Sequence, residues 1–151
     1  IGNIISKKLN IKLIDTDYEI EKVEEISVKK IFEIKGEDYF RKLEEKIILK
    51  SINLDNQVIS LGGGGFLKLN LRKKIQMKCI SFWLDWKDDT IIKRIFKNDK
   101  RPLARHLSKL DLKDMINQRH KHYKQASHRI ICENLNKKEI SDEIIKKYEI
   151  Q

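Results

Sequence analysis

The sequence is nearly without proline, with one in 151 residues, and its six glycines include one run of four. That excludes a collagen-like chain and a Pro/Gly-rich disordered one. Cysteine is scarce too. Cys79 and Cys132 lie far apart, so neither a disulfide framework nor a metal-type cysteine spacing is written here. Both sit in apolar stretches and read as buried free thiols on strands, in a reducing cytoplasm. No apolar run reaches about eighteen residues, which excludes a transmembrane helix. No basic segment leads into an apolar one at the start, so no signal peptide is read. The four histidines give no ligand set, and His120 and His122 point to different sides of a helix. No phosphate-binding G-x-x-x-x-G-K-[ST] loop occurs, since no glycine is followed by lysine.

What is present suffices for one domain with a real core. Hydrophobic residues make up 40% and charged residues 37%. A chain of this length buries roughly 68–70% of its unfolded surface. The net charge is +10, from 33 Lys+Arg against 23 Asp+Glu. The cations are mostly lysines interleaved with acids, and no aromatic platform accompanies them. They read as a solvated surface, with neither a nucleic-acid nor a membrane partner.

Short β-prone runs alternate with longer helical patterns. The strands are read at Lys12–Ile14, Val58–Leu61, Cys79–Leu84 and Arg129–Cys132. Helix patterns fall at about 19–25, 27–34, 37–53, 69–76, 88–98, 109–126 and 139–149. Ile1, Ile4, Ile5 and Leu9 share a helical face, so the chain opens inside a helix. Ser27, Asp88 and Ser141 are candidate N-caps. The alternation argues for an α/β domain with a mostly parallel sheet, whose ligands sit at the carboxyl ends of the strands. No linker or repeat divides residues 1–151.

Two segments follow strand ends. Asp15-Thr16-Asp17 offers two carboxylates, which suit metal-bound water and a proton acceptor, or simply a helix cap. Gly62-Gly63-Gly64-Gly65 lets backbone approach a ligand closely, at an entropic cost that a plain turn does not justify. Arg41 suits a bidentate carboxylate clamp, or a surface ion pair with Glu37 and Glu45 at i±4. Arg101, in the basic segment holding the only proline, suits a phosphate contact or a solvated loop. Arg119 and Tyr123 share one helix face.

In this order the segments resemble the shikimate kinase family. Its D-[TS]-D motif is matched by Asp15-Thr16-Asp17, and its I-F…G-E…F-R…E by Ile31-Phe32, Gly36-Glu37, Phe40-Arg41 and Glu44. Its G-G-G, R-P-L and R…Y…A motifs are matched by Gly62-Gly63-Gly64, by Arg101-Pro102-Leu103, and by Arg119, Tyr123 and Ala126 or Ser127. The resemblance runs from Ile1 to about Asn134. It implies a three-layer P-loop kinase fold with a parallel sheet in the order 2-3-1-4-5, of which the first strand and the P-loop are absent from this chain. Ile1-Gly2 is similar to the residues that follow the family's Walker A loop. On that reading the chain is cut just after the loop, is inactive as it stands and does not fold stably.

The resemblance implies transfer of the ATP γ-phosphoryl group to the 3-hydroxyl of shikimate by a cytoplasmic monomer. It makes Asp17 the residue that orients or deprotonates the hydroxyl. Arg41 and Arg119 clamp the carboxylate, and Gly62, Gly63 and Gly64 line the substrate. Arg101 neutralises the moving phosphoryl group, and Arg94 stacks on adenine. Asp15 holds Mg²⁺ through water. The substrate-binding region is about 17–53 and the lid about 97–110. The family's adenine loop often carries Arg or Pro. Here the stretch is Glu133-Asn134-Leu135-Asn136, with Asn134 as the contact. The alternative is a shikimate-binding or related kinase-like protein without turnover.

Overall fold

The computed structural model describes residues 1–97 and 107–150. Helix α1 (Gly2–Leu9) leads into strand β1 (Lys12–Asp15) and helices α2 (Thr16–Glu24) and α3 (Val28–Ser51). Then follow β2 (Gln57–Ser60), α4 (Leu69–Lys78), β3 (Phe82–Asp85), α5 (Asp88–Phe96), α6 (Lys109–Tyr123), β4 (His128–Ile131) and α7 (Lys137–Glu149). The alternation read from the sequence is therefore the architecture, including the helix at the start.

The four described strands form two separate parallel pairs, β1 with β2 and β3 with β4. Side chains on a strand alternate between faces, and the cores follow that alternation. Val58, Phe82 and Leu84 pack under α1 and α7 with Ile5, Ile130, Cys132, Ile140 and Ile144. On the opposite face Ile59 packs with Ile48, Ile52, Leu71 and Ile75 of α3 and α4, while Trp83 meets His120 and Tyr123 of α6. Both strand pairs thus sit between the same two helical layers. A further cluster joins α5 to α6 through Ile92, Ile95, Leu112 and Ile116. Another joins α2 to α3 through Ile20, Ile31 and Phe40.

Several local expectations change. The two helices read at 27–34 and 37–53 are joined into α3 across a kink at Gly36, whose φ of 79° and ψ of 173° almost only glycine adopts. Ser27 caps α3 as expected, accepting the Lys30 N–H. Asp88 lies in the first turn of α5 rather than at its cap; Glu133 instead accepts from the Lys87 N–H (3.2 Å) and the Thr90 hydroxyl (3.1 Å). Ser141 is buried inside α7, and Asn136 caps that helix with Glu139 in a reciprocal box. Neither cysteine lies on a strand: Cys79 is the C-cap of α4 and Cys132 follows β4, although Cys132 is fully buried. No helix of the described residues is long and apolar enough to cross a membrane.

Candidate active site

The ends of β1 and β2 are tied together by Thr16. Its hydroxyl donates to the Ser60 carbonyl (3.1 Å) and accepts from the Gly62 N–H (3.2 Å), and the residue is fully buried. This one side chain holds the start of α2 against the start of the glycine run. Asp15 caps α2, its Oδ1 accepting from the N–H groups of Asp17 (3.1 Å) and Tyr18 (3.3 Å). The capping alternative for the first carboxylate is thus realised, which leaves the second free to face the glycines.

Asp17 does face them. Its Oδ1 lies 2.9 Å from where a Cβ on Gly62 would stand, and Glu44 Oε1 lies 3.0 Å from the same point. Burial raises the Asp17 carboxyl from 3.8 to about 6, helped by the negative charges of Asp15, Glu44 and Glu21 and opposed by Arg41. A carboxylate with that value is ionised at neutral pH yet basic enough to take a proton.

Arg41 comes from the other side of the glycine run. Its Nε donates to Glu37 (3.2 Å) and its Nη1 to Glu44 Oε2 (2.7 Å). The expected partner Glu45 is turned away and binds Lys68 (2.8 Å). The reason is packing: Phe40, Glu44 and Ile48 lie on the buried face of α3, and Arg41 reaches inward to Glu44. Glu44 is 3% exposed and its Oε1 has no hydrogen-bond partner among the described residues.

Arg119 and Tyr123 approach the same run from α6. Arg119 Nη1 lies 3.0 Å from where a Cβ on Gly63 would stand, and the Tyr123 hydroxyl donates to the Gly63 carbonyl (2.5 Å). A Cβ on Gly64 would overlap Arg41 Nη1. Three consecutive glycines are thus each faced by charged side chains: Gly62 by Asp17 and Glu44, Gly63 by Arg119 and Gly64 by Arg41. The absence of Cβ atoms is what lets the two guanidinium groups come so close to one loop. Gly64→Ala is accordingly expected to displace Arg41. The affinity for a carboxylate ligand should fall about tenfold, the scale of one weakened charge-assisted hydrogen bond. Calorimetric titration of the variant measures this.

Asp17, Arg41, Gly62, Gly63, Gly64 and Arg119 are therefore brought together as the sequence suggested. Asp15 is beside them, exposed at the tip of β1. Among the described residues no group of three or more His, Cys, Asp and Glu forms a metal site. A lone exposed carboxylate suits Mg²⁺ held chiefly by water and phosphate oxygens, so Asp15 fits that limited part. Arg94 lies elsewhere, its guanidinium 3.7 Å from the centre of the Trp86 ring. Asn134 occupies the turn between β4 and α7 with a φ of 67°. Arg101, and with it the centre of the 97–110 segment, lies outside the described residues.

Three contributors named in the sequence only as motif positions carry contacts that were not read there: Thr16, Glu44 and the Tyr123 hydroxyl. Glu44 had a legible signal, an acid between Phe40 and Ile48 at the spacing of an apolar helix face. The backbone partners of Thr16 and Tyr123 lie 44 to 60 residues away, and no local pattern announces those contacts.

The shikimate kinase family model matches residues 1–149. The shikimate kinase of Clostridium botulinum is 41% identical over 152 residues, covering 98% of this chain and 87% of the relative. That of Persephonella marina is 37% identical over 146 residues, covering 96% and 88%. The crystal structure of shikimate kinase from Aquifex aeolicus superposes with a TM-score of 0.87 at 30% identity, covering 98% of this chain and 87% of that one. The structure of shikimate kinase from Acinetobacter baumannii in complex with shikimate gives 0.91 at 22% identity, covering 99% and 84%, and speaks for the fold.

Proposed function

The chain belongs to the shikimate kinase family, and on that premise we propose how its residues divide the transfer of the ATP γ-phosphoryl group to the 3-hydroxyl of shikimate. One observation carries the assignment: Arg119 and Arg41 converge on Gly63 and Gly64, while Asp17 faces Gly62. Two guanidinium groups with donors turned to one loop fit a carboxylate, in both charge and direction. A raised, ionised carboxylate one glycine away fits a hydroxyl that must lose its proton.

In this division Arg119 and Arg41 fix the substrate carboxylate, and the glycine backbone lets the ring lie close. Asp17 accepts the proton of the 3-hydroxyl as its oxygen attacks phosphorus. Glu44 and Tyr123 hold Arg41 and Gly63 in place. Asp15 would hold Mg²⁺ through water, and the ion, when bound, would offset phosphate charge. Arg94 and Asn134 contact adenine, and Arg101 meets the charge of the transferring group. The substrate-binding region is 17–53, the lid 97–110, and residues 1–151 belong to one domain of a cytoplasmic monomer. In the order 2-3-1-4-5 the two strand pairs would be the halves on either side of a central strand, and their packing between shared apolar layers supports that reading.

The test is ADP release from ATP and Mg²⁺ by the protein made from its complete reading frame, with and without shikimate. Release that depends on shikimate supports the reading. Release at the same rate without shikimate, or none from a folded protein that binds ATP, overturns it and leaves a binding protein without turnover.

A further inference from the structure

We propose that Arg72 of α4 is a positioning residue, which sets the glycine turn and the Arg119-bearing helix in one fixed relation; the proposal rests on the carboxylate-binding reading of that pair. Arg72 is 4% exposed, and among the described residues no carboxylate pairs with it. Its Nη1 donates to the carbonyls of Phe66 (3.0 Å) and Leu67 (2.8 Å), and its Nε to the Gln125 side chain (3.0 Å). Gln76, one turn along α4, donates to the Gln125 carbonyl (2.7 Å).

Each partner belongs to an element of the site. Phe66 and Leu67 end the turns that begin in the glycine run, where the Gly65 N–H donates to the Gly62 carbonyl (3.1 Å) and the Leu67 N–H to the Gly64 carbonyl (3.0 Å). Gln125 closes the end of α6, its N–H donating to the His122 carbonyl (3.0 Å). The helix it closes presents Arg119 and Tyr123 to Gly63. One guanidinium therefore grips the loop that receives the ligand and the helix that supplies a cation to it.

Stability alone is a poor reason for this arrangement. A buried cation held only by carbonyl and amide oxygens has no ion-pair attraction to offset its desolvation. What the guanidinium offers is a rigid planar fork whose separate N–H groups reach oxygens on two elements at once. Lysine, with a single flexible ammonium, does not reproduce that geometry.

The experiment compares the wild-type protein with Arg72→Lys and with Gln125→Ala, which alters an exposed side chain and is expected to fold. Amide hydrogen exchange at Gly62, Gly65 and Leu67 reads the loop directly. Titration with shikimate and separately with ATP reads the consequence. In Arg72→Lys, exchange at those amides is expected to quicken about tenfold. Shikimate Kd should rise about tenfold, with ATP Kd within twofold of wild type. Gln125→Ala should shift both readouts in the same direction by about threefold, and it decides alone if Arg72→Lys does not fold. Unchanged exchange at the glycine turn overturns the proposal, as does an equal loss of shikimate and ATP affinity. Should the wild type bind no shikimate, the substrate reading fails and the exchange measurement decides the positioning role separately.

Discussion

Asp17→Asn lowers kcat by about 10²–10⁴, the usual contribution of a positioned general base, while shikimate affinity changes little. The substitution keeps size and hydrogen-bonding shape but removes the proton acceptor. The same carboxyl sets the acid limb of the wild-type pH profile. Its value is raised from 3.8 to about 6 by burial and by the charges of Asp15, Glu44 and Glu21. Activity should therefore fall as pH drops through about 6, and that limb should be missing from whatever rate Asp17→Asn retains. Stability moves the opposite way. A carboxyl raised on folding binds its proton more tightly in the native state, so its contribution is full below 3.8 and is lost as pH rises through about 6. At pH 7.5 the ionised Asp17 is a cost, discounted for its partial exposure to about 1 kcal/mol. Asp17→Asn should raise Tm by about 2–4 °C at pH 7.5 and leave it unchanged at pH 3.5. Steady-state kinetics and thermal unfolding at the two pH values check both halves.

The two arginines should separate by what else they do. Among the described residues Arg119 has no hydrogen-bond or ion-pair partner, whereas Arg41 is held by Glu37 and Glu44. Arg119→Ala is expected to cost about 2 kcal/mol of substrate binding, roughly thirtyfold in shikimate Kd, with Tm unchanged. Arg41→Ala should lose comparable affinity and also destabilise the fold. It leaves the Glu44 carboxylate, whose side chain is 4% exposed, buried without a counter-charge. Breaking such a pair from one side costs about 3 kcal/mol, or roughly 6–12 °C in Tm. Adding Glu44→Gln to Arg41→Ala should recover most of the Tm and none of the shikimate affinity. Equal melting losses for Arg41→Ala and Arg119→Ala would contradict the separate role given to Glu44.

Much of this site could be read in the sequence because its chemistry is concentrated at strand ends. Asp15-Thr16-Asp17 directly follows an apolar β-prone run, and four glycines follow another, so topology alone directs both to one edge. Arg119 and Tyr123 were legible from helical spacing, and both reach Gly63. Of the two partners that local spacing offers Arg41, Glu37 pairs as read, and the buried Glu44 takes the place of Glu45. Arg72 was invisible for the same kind of reason. In a chain with 33 lysines and arginines, a basic residue on a helix reads as solvated surface. Its contacts depend on the turn after the glycine run and the turn after α6 meeting at α4. The caps of α5 and α7 follow suit: Glu133 reaches α5 from 43 residues away, and Ser141 gives way to Asn136 because its own face is buried. Elements set by periodicity were accessible, and contacts set by tertiary packing were not.

Asp17 and the paired arginines together present one particular hydroxyl to ATP in the proposed division of roles. Phosphorus–proton correlation NMR on the product formed by the protein from its complete reading frame tests it most directly. The expected result is a single phosphorylated product whose phosphorus couples to the proton on C3 of shikimate. That product should be lost in Asp17→Asn and form only at high shikimate concentration in Arg119→Ala. A phosphorus coupled to another ring carbon's proton, or an undiminished yield from Asp17→Asn, would contradict it.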